Sequence, residues 1–176
     1  MTATKDELLA RLDTLGIDAV THEHPPVFTV EESRSLRGSL PGAHCKNLFM
    51  KDKKGVVWLL SCLEDRPVDM KRLKRQLGSG HLSFGKPDLL MECLGVEPGS
   101  VTPFGLINDT ERRVRVALDK AMMAMDPVNF HPLINSATTA LSPDGLLRFI
   151  ESCGHRPQLV DLDHDPADDA ACAGGG

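Results

Sequence analysis

The chain has 176 residues, enough for one domain with a real hydrophobic core, with or without a tail. Aromatic residues make up 4% of it, with one Trp and no Tyr, which argues against stacking of single-stranded bases on an aromatic platform. The formal charge of -5 argues against binding nucleic acid through net charge, although it is compatible with a local basic patch.

The five cysteines are widely spaced and none forms a CxxC pair. Their spacing predicts neither a zinc knuckle nor a redox motif, and free thiols in a reducing cytoplasm are the simplest account. Residues 1–6 contain no apolar signal region, and no apolar run approaches the length of a membrane span. We therefore expect a cytoplasmic protein.

The first predicted elements are a helix ending at Gly16, a strand over residues 17–22 and a second helix over residues 30–37. Between the strand and the second helix, His22 and His24 flank a glutamate in a pattern that resembles a metal site. Two prolines follow and force an extended loop, and no third ligand cluster lies nearby in the sequence. We expect these histidines to orient backbone or to line a cleft.

The stretch over residues 42–50 joins a glycine turn to an apolar strand and carries Lys46 and Asn47 side by side. Because a strand alternates its faces, Asn47 and Cys45 are predicted to share the face of Phe49, whereas Lys46 points the other way. A lysine at a strand end is suited to hold a phosphate or a developing oxyanion. The commoner alternative is a solvated lysine at a strand start.

A hairpin partner is predicted over residues 56–63, nearly all apolar as expected of a strand covered on both faces. Pro67 then opens a basic amphipathic helix over residues 68–77. The polar face of this helix carries the cations Lys71, Arg72, Lys74 and Arg75. Such a pattern is most often a solvent-exposed face, and the more specific explanation is contact with a phosphate backbone.

The second half of the chain is predicted to contain strands over residues 82–84, 114–118, 134–141 and 158–162, and helices over residues 87–94 and 143–153. A loop rich in glycine and proline surrounds Gly99. Its amides are suited to bind a carbonyl oxygen or an oxyanion, although a plain helix-to-strand connection is the alternative. The strand with Asn135, Thr138 and Thr139 needs polar partners, which suggests that it lines a wet cleft.

Four stretches, taken in order, carry a resemblance: residues 24–29 (HPPVFT), 42–49 (GAHCKNLF), 99–104 (GSVTPF) and 131–139 (HPLINSATT). They resemble the YbaK/prolyl-tRNA-synthetase-associated editing family. Within that family the chain looks most like the free-standing ProXp-ala (PrdX-like) group. The resemblance runs from about Leu8 to Val160.

The resemblance implies an α+β fold with a mixed, partly barrel-like β-sheet flanked by helices. It implies a single aminoacyl-tRNA editing domain over residues 1–162, and we expect residues 163–176 to be a disordered acidic and Gly/Ala-rich tail. The implied function is trans-editing, in which the ester of alanine mischarged on proline tRNA is hydrolysed without metal or other cofactor. The implied partners are the acceptor stem of proline tRNA and, transiently, prolyl-tRNA synthetase or an elongation factor, and no membrane.

Individual residues carry over by motif. Lys46 matches the family's lysine near the terminal adenosine and its phosphate, and Asn47 matches the asparagine of the alanine-specific type. Gly99 and Pro103 match the loop that contacts the ester, and His131 matches the histidine at the pocket wall. The further pocket residues expected are Thr29, Phe104, Asn135 and Thr138. The expected tRNA contacts, predicted from charge alone, are Lys71, Arg72, Lys74 and Arg75.

An aminoacyl ester is already activated, so such an enzyme has to place a water and hold the oxyanion, through backbone amides at Gly99 and the cation of Lys46. Cys45 is not expected to be a nucleophile, because strand alternation turns it away from the Lys46 face. Three alternatives stay open: a deacylase for Cys, Ser or Thr esters, a non-catalytic tRNA-binding module, and a domain that binds an unrelated small ligand. A metallohydrolase using His22, His24 and His44 is a fourth.

Overall fold

The computed structural model describes residues 2–26 and 40–167. This part of the chain forms the helices α1 (Lys5–Thr14), α2 (Met70–Leu77), α3 (Pro87–Leu94) and α4 (Pro143–Ser152). Its strands are β1 (Ala19–Glu23), β2 (Ala43–Asp52), β3 (Val57–Leu63), β4 (Leu82–Phe84), β5 (Val114–Asp119), β6 (Val128–Phe130), β7 (Ala137–Leu141) and β8 (Gln158–Val160). The helix predicted over residues 30–37 and the expected pocket residue Thr29 lie outside the described residues. No helix in the described ranges is long and apolar enough to cross a membrane.

Strand β2 is the hub of the sheet. The strand order is β1-β7-β6-β2-β3-β5-β8, and β4 pairs with β2 outside this order. β2 runs antiparallel to β3 and β4 and parallel to β6, and β5 runs parallel to both of its neighbours. The expected mixed sheet flanked by helices is therefore confirmed, with its longest strand at the centre.

Alternate residues of the central strands point into two separate cores. Phe49 of β2 and Leu59 of β3 lie in the first core, which packs against α1, α3 and α4. Met50 of β2 and Leu60 of β3 lie in the second core, which packs against α2. β3 is therefore covered on both faces, as its nearly continuous apolar sequence predicts.

Asn47 and Lys46 consequently lie on opposite faces of β2. Cys45, two residues before Asn47, packs against the first core, and Leu48, two residues after Lys46, packs against the second core. This confirms the alternation predicted from the sequence. Asn47 therefore faces the segments that cross the first-core face, and Lys46 faces those on the second-core face.

The basic helix α2 begins later than predicted because Asp69, rather than Pro67, leads into its first turn. The Asp69 carboxylate accepts hydrogen bonds from two backbone amides of that turn, which makes it the N-cap. The helix ends at Gly78, whose φ of 69° is left-handed. Leu73 and Leu77, one turn apart, are buried in the second core, so the cations between them face away from the sheet.

The predicted strand that contains Asn135 begins later than expected, at Ala137. Leu133 has a φ of 72°, a left-handed conformation that interrupts the extended backbone before the strand. The backbone amide of His24 donates to the carbonyl of Ser136 at 3.0 Å and ties this turn to the end of β1. Asn135 therefore lies in a turn and not in a strand.

Asp52 fixes the turn between β2 and β3. Its carboxylate accepts hydrogen bonds from the backbone amides of Lys54, Val56 and Gly80, at 2.9, 3.0 and 3.1 Å. Burial alone would raise the pKa of this carboxyl, but these hydrogen bonds outweigh burial and hold the pKa below its ordinary value. The predicted hairpin is confirmed by the antiparallel register of the two strands.

Candidate active site

The side-chain amide of Asn47 is fixed by two hydrogen bonds. Its nitrogen donates to the backbone carbonyl of Val101 at 3.0 Å, and its oxygen accepts from the hydroxyl of Ser61 at 2.6 Å. Ser61 is fully buried on β3 and stands directly opposite Asn47 in the register. The amide therefore ties β2 to the Gly99 loop (residues 98–102). An amide nitrogen carries two N–H groups, and the bond to Val101 uses one of them.

The Gly99 loop crosses the first-core face and reaches the surface. Pro98–Ser100 forms a short 3-10 helix, and Gly99 within it is exposed. Within the described part of the chain, a Cβ added at Gly99 would meet only the side-chain nitrogen of Asn135, at 3.8 Å. The loop therefore lies against the turn that precedes β7, so two of the expected pocket segments meet here.

Pro103 and Phe104 follow this loop and pack on its core side. Thr102 caps the 3-10 helix that Pro103 opens, and its hydroxyl accepts from the backbone amide of Phe104 at 3.2 Å. Phe104 is fully buried and packs edge-on against Phe130 and Phe149, with ring centroids 6.1 and 5.3 Å away. Pro103 is buried as well. Both residues hold the loop in place from the core side.

His131 lies beside His24, close to the start of β7. Its Nδ1 donates to the backbone carbonyl of Ala137 at 3.0 Å, because a carbonyl can only accept. The neutral ring therefore carries its proton on Nδ1 and has Nε2 as an acceptor. Burial lowers the pKa of His131, the Ala137 hydrogen bond raises it, and the neighbouring His24 lowers it again, for a net decrease. His131 is thus neutral at pH 7.

Thr138 connects the second histidine to the same region. The Nδ1 of His24 donates to the backbone carbonyl of Pro25 at 2.9 Å, and its Nε2 is hydrogen-bonded to the Thr138 hydroxyl at 2.8 Å. The ring centroids of His24 and His131 lie 6.5 Å apart. These three residues, His24, His131 and Thr138, form a polar wall where β1 meets β7.

Lys46 lies apart from this cluster, on the second-core face. Its ammonium donates to the backbone carbonyl of Arg66, and its register partner on β3 is Cys62. The Arg66 guanidinium in turn contacts the carboxylate of Asp163. Lys46 belongs to the side of the sheet that carries α2, and the structure does not place its ammonium against Gly99.

The four basic residues of α2 lie at the surface, and two of them have acidic partners. Lys71 and Lys74 are exposed. Arg72 and Arg75 contact residues 163–165, which begin the segment that we predicted to be a disordered tail. Residues 163–167 have a defined position against α2 because these side chains hold them there, whereas residues 168–176 lie outside the described ranges.

Neither thiol beside Lys46 is suited to nucleophilic attack. Burial raises the pKa of Cys45 to about 12, and its thiol donates to the backbone carbonyl of Ala43. Burial raises the pKa of Cys62 to about 11, although Lys46 acts in the opposite direction. The thiolate is the attacking species, so both groups are inert at neutral pH. Among residues 2–26 and 40–167, no three His, Cys, Asp or Glu side chains are placed to hold a metal ion.

Comparison with known proteins connects this geometry to a family. The model of the aminoacyl-tRNA editing domain matches residues 24–149. Prolyl-tRNA synthetase associated domain-containing protein 1 of Danio rerio is 41% identical over 161 residues, which cover 90% of this chain and 88% of that protein. The chain belongs to the aminoacyl-tRNA editing domain family. This confirms the resemblance found in the sequence.

One further relative agrees with this assignment, and one solved structure shares the fold. The prolyl-tRNA editing protein ProX of Acetoanaerobium sticklandii is 35% identical over 159 residues, which cover 90% of this chain and 97% of that protein. The crystal structure of a candidate trans-editing enzyme for prolyl-tRNA synthetase superposes with a TM-score of 0.66 at 21% identity, over 92% of this chain and 99% of that one. The latter likeness concerns the fold.

Sequence reasoning missed Ser61, and it expected His24 to orient backbone or to line a cleft without naming its partner. Ser61 is the single hydroxyl in the apolar sequence of β3, and that isolation is the signal that points to a polar partner across the hairpin. The bond of His24 to Thr138 joins residues 114 positions apart, through the pairing of β1 with β7. A local pattern contains no information on that pairing.

Proposed function

We propose that this protein is a trans-editing hydrolase that cleaves the ester of alanine mischarged on proline tRNA. The observation that carries the proposal is the position of the Gly99 loop, which is bonded to Asn47 and lies against Asn135 in the turn that leads from His131 to β7. The names of two similar proteins refer to prolyl-tRNA synthetase or to prolyl-tRNA editing, which supports proline tRNA as the substrate.

The reaction needs few chemical groups from the protein. Water adds to the ester carbonyl carbon, the bond from that carbon to the ribose oxygen of the terminal adenosine breaks, and the ribose oxygen takes the proton that the water loses. The backbone amides around the exposed Gly99 are proposed to hold the oxyanion, because their dipoles are fixed before the charge develops. The ester is already activated, so placing the water supplies much of the remaining barrier reduction.

His131 and Asn47 are proposed to position the reacting groups. The Nδ1 of His131 is bound to Ala137, so Nε2 is the atom that it offers to the attacking water or to the ammonium of the amino acid. Its lowered pKa keeps this nitrogen unprotonated at pH 7. Asn47 uses one N–H on Val101 and offers the other to the substrate.

Lys46 is proposed to bind phosphate instead of taking part in the chemical step. Its ammonium donates to the backbone carbonyl of Arg66, and it lies on the face of the sheet that packs against α2, so it adds a cation on that side. An ammonium holds phosphate as a compact point charge. In this arrangement the acceptor stem runs along α2 to Lys46, and the aminoacyl end reaches the Gly99 loop past the stretch of β2 between His44 and Met50, which neither β6 nor β4 pairs.

Selectivity for alanine is proposed to come from size. A small pocket rejects proline by steric clash, whereas a synthetase site built for proline cannot reject the smaller alanine. Cys, Ser and Thr esters are the alternative substrates. An apolar pocket discriminates against one added group by only about 10- to 200-fold, so relative rates have to identify the amino acid.

The test is single-turnover deacylation of alanine-charged proline tRNA with a chelator present. We expect the wild type to hydrolyse the ester despite the chelator. Lys46→Met should weaken tRNA binding about tenfold, the size of one charge-assisted contact, with little change in the rate at saturating enzyme. The matched control is Lys51→Met, an exposed lysine on the same strand, which should behave as the wild type. Binding of the tRNA without hydrolysis would favour a non-catalytic tRNA-binding module.

A further inference from the structure

An acidic strap (residues 161–167) lies across the outer face of α2. Arg75 contacts both carboxylate oxygens of Asp165, with Nε 2.9 Å from one and Nη2 2.6 Å from the other. Arg72 donates to the backbone carbonyl of Asp163 at 2.7 Å. Gln76 donates to two further backbone carbonyls of the strap, at 3.3 and 2.7 Å. The strap therefore covers one side of the basic helix.

A third arginine, Arg66, also holds the strap. Arg66 contacts both carboxylate oxygens of Asp163, with Nη2 3.0 Å from one of them. The backbone carbonyl of Arg66 is also the acceptor for Lys46, so Arg66 contacts both the strap and that lysine. Leu162 packs into the second core and anchors the strap independently of charge.

The strap carboxylates are oriented toward the arginines before any ligand binds. Asp165 accepts a hydrogen bond from the backbone amide of Ala167 at 3.0 Å. The hydrogen bond from Arg66 lowers the pKa of Asp163, and the hydrogen bond from Arg75 lowers the pKa of Asp165, with help from the Ala167 amide. Both carboxyls are ionised at neutral pH, so the strap presents two fixed anions.

Two carboxylates held in this way resemble a short piece of nucleic-acid backbone. Carboxylate and phosphate both pair with the two-pronged face of a guanidinium. Asp163 and Asp165 stand two residues apart on one chain, as successive phosphates follow one another along a strand. The cations that contact the strap on α2, Arg72 and Arg75, are two of the four through which the acceptor stem is proposed to bind.

We propose that the acidic strap competes with RNA phosphates for Arg66, Arg72 and Arg75, and that binding of the acceptor stem displaces its carboxylates. The identity of the RNA in this inference rests on the proposed function. The exposed Lys71 and Lys74 give the RNA its first contact. An RNA that makes few other contacts does not compensate for the lost strap contacts, so the strap disfavours non-specific RNA.

The test compares how tightly a strap variant and a control variant bind an uncharged RNA hairpin. The hairpin carries the acceptor-stem sequence of proline tRNA and a CCA end. The strap variant is Asp163→Asn with Asp165→Asn, which retains the buried Leu162 that truncation would remove. The matched control is Asp13→Asn with Glu111→Gln, which changes the net charge equally at exposed positions on α1 and before β5. We expect the strap variant to bind about fivefold or more tightly than the control at low salt, because two ion pairs no longer compete.

The salt dependence of the affinity difference distinguishes a lost ion pair from a change in packing. Surface ion pairs are screened by salt, so the affinity gap between strap variant and control should narrow as salt rises from about 50 to about 300 mM. Equal affinities at every salt concentration would overturn the proposal, as would the failure of both proteins to bind the hairpin. Deacylation is assayed separately, so a protein that binds the hairpin but cleaves no ester refutes the proposed function and leaves this comparison valid.

Displacement of the strap is also directly observable. In the wild type, the amide resonances of residues 163–167 should shift on addition of the hairpin, in proportion to the bound fraction. In the control variant they should shift by the same amount. Resonances that stay unchanged at saturation would show that the strap remains on α2, against the proposal.

Discussion

Replacement of Ser61 by alanine tests whether Asn47 works through its fixed orientation. Ser61 is fully buried, so it is unable to touch a substrate. Its hydroxyl donates to the Asn47 side-chain oxygen at 2.6 Å, and its link to the site runs through that amide. An effect of Ser61→Ala on catalysis therefore reports on the positioning of Asn47.

The size of the effect follows from the contacts. A neutral hydrogen bond contributes about 1 kcal/mol, and a buried acceptor left without a donor costs about 1–3 kcal/mol. We expect Ser61→Ala to lower the free energy of unfolding by about 1–2 kcal/mol. The bond from Asn47 to Val101 remains, so the amide loses one of two restraints. A loss of about 1 kcal/mol of transition-state stabilisation slows deacylation about fivefold.

The assay is a double-mutant cycle on single-turnover deacylation of alanine-charged proline tRNA. It compares Ser61→Ala, Asn47→Ala and the double variant. The double variant should be no slower than Asn47→Ala, because Ser61 acts through that residue. The control is Ser83→Ala, which removes an exposed hydroxyl that donates to the backbone carbonyl of Lys51 at 3.4 Å and should have no effect. A wild-type rate for Ser61→Ala, or effects that add fully, would refute the reasoning.

Four other substitutions have defined outcomes. Gly99→Ala should keep the thermal stability, since the added methyl meets Asn135 at 3.8 Å, but should lower kcat/KM about tenfold by obstructing the ester. Cys45→Ala should leave kcat unchanged, because a thiol of pKa about 12 is no nucleophile. Deacylation should lose rate through protonation of His131 only below about pH 6.5, and His131→Asn should lack this dependence. Asp52→Asn should be less stable than the wild type at pH 7 and should lose less stability when the pH is lowered. The pKa of Asp52 is lower in the folded state, so its carboxylate stabilises the wild-type fold above about pH 4, and this stabilisation is lost as the pH falls further.

Melting curves and deacylation rates check the first three, and urea unfolding at pH 7 and pH 3 checks Asp52. A Gly99→Ala variant with the wild-type rate would place the ester elsewhere. Loss of turnover in folded Cys45→Ala would reinstate the thiol as a nucleophile. A rate already halved at pH 7 would show that His131 is not the depressed base described above. If Asp52→Asn and the wild type lose the same stability between pH 7 and pH 3, Asp52 does not contribute to the pH dependence of stability.

The sequence predicted which residues lie on each face of β2, but it did not predict which segments these residues contact. Alternation is a local property, so it placed Asn47 and Lys46 on opposite faces correctly. Their partners are determined by the course of the chain: Asn47 binds Val101, 54 positions away, and Lys46 binds Arg66, 20 positions away. The sequence alone suggested that Lys46 and Gly99 share the oxyanion; in the structure the Lys46 ammonium donates to the backbone carbonyl of Arg66.

Composition did not predict the contacts of residues 163–167. Acidic residues followed by Ala and Gly are typical of disorder, because they bury little apolar surface. The contact of Asp165 with Arg75 spans 90 positions, and the burial of Leu162 in the second core adds a local anchor. Turn geometry was equally hidden: the left-handed backbone of Leu133, which shortens β7, is uncommon for leucine and leaves no signal in a hydrophobicity pattern.

The most direct test of the proposed activity is a comparison of single-turnover rate constants for proline tRNA charged with Ala, Cys, Ser, Thr or Pro. All five are measured with the same wild-type preparation and with chelator present. The proposal predicts that the alanine ester is hydrolysed fastest, by about tenfold or more over the proline ester. Faster hydrolysis of the Cys, Ser or Thr ester, or no hydrolysis of any of the five, would contradict it.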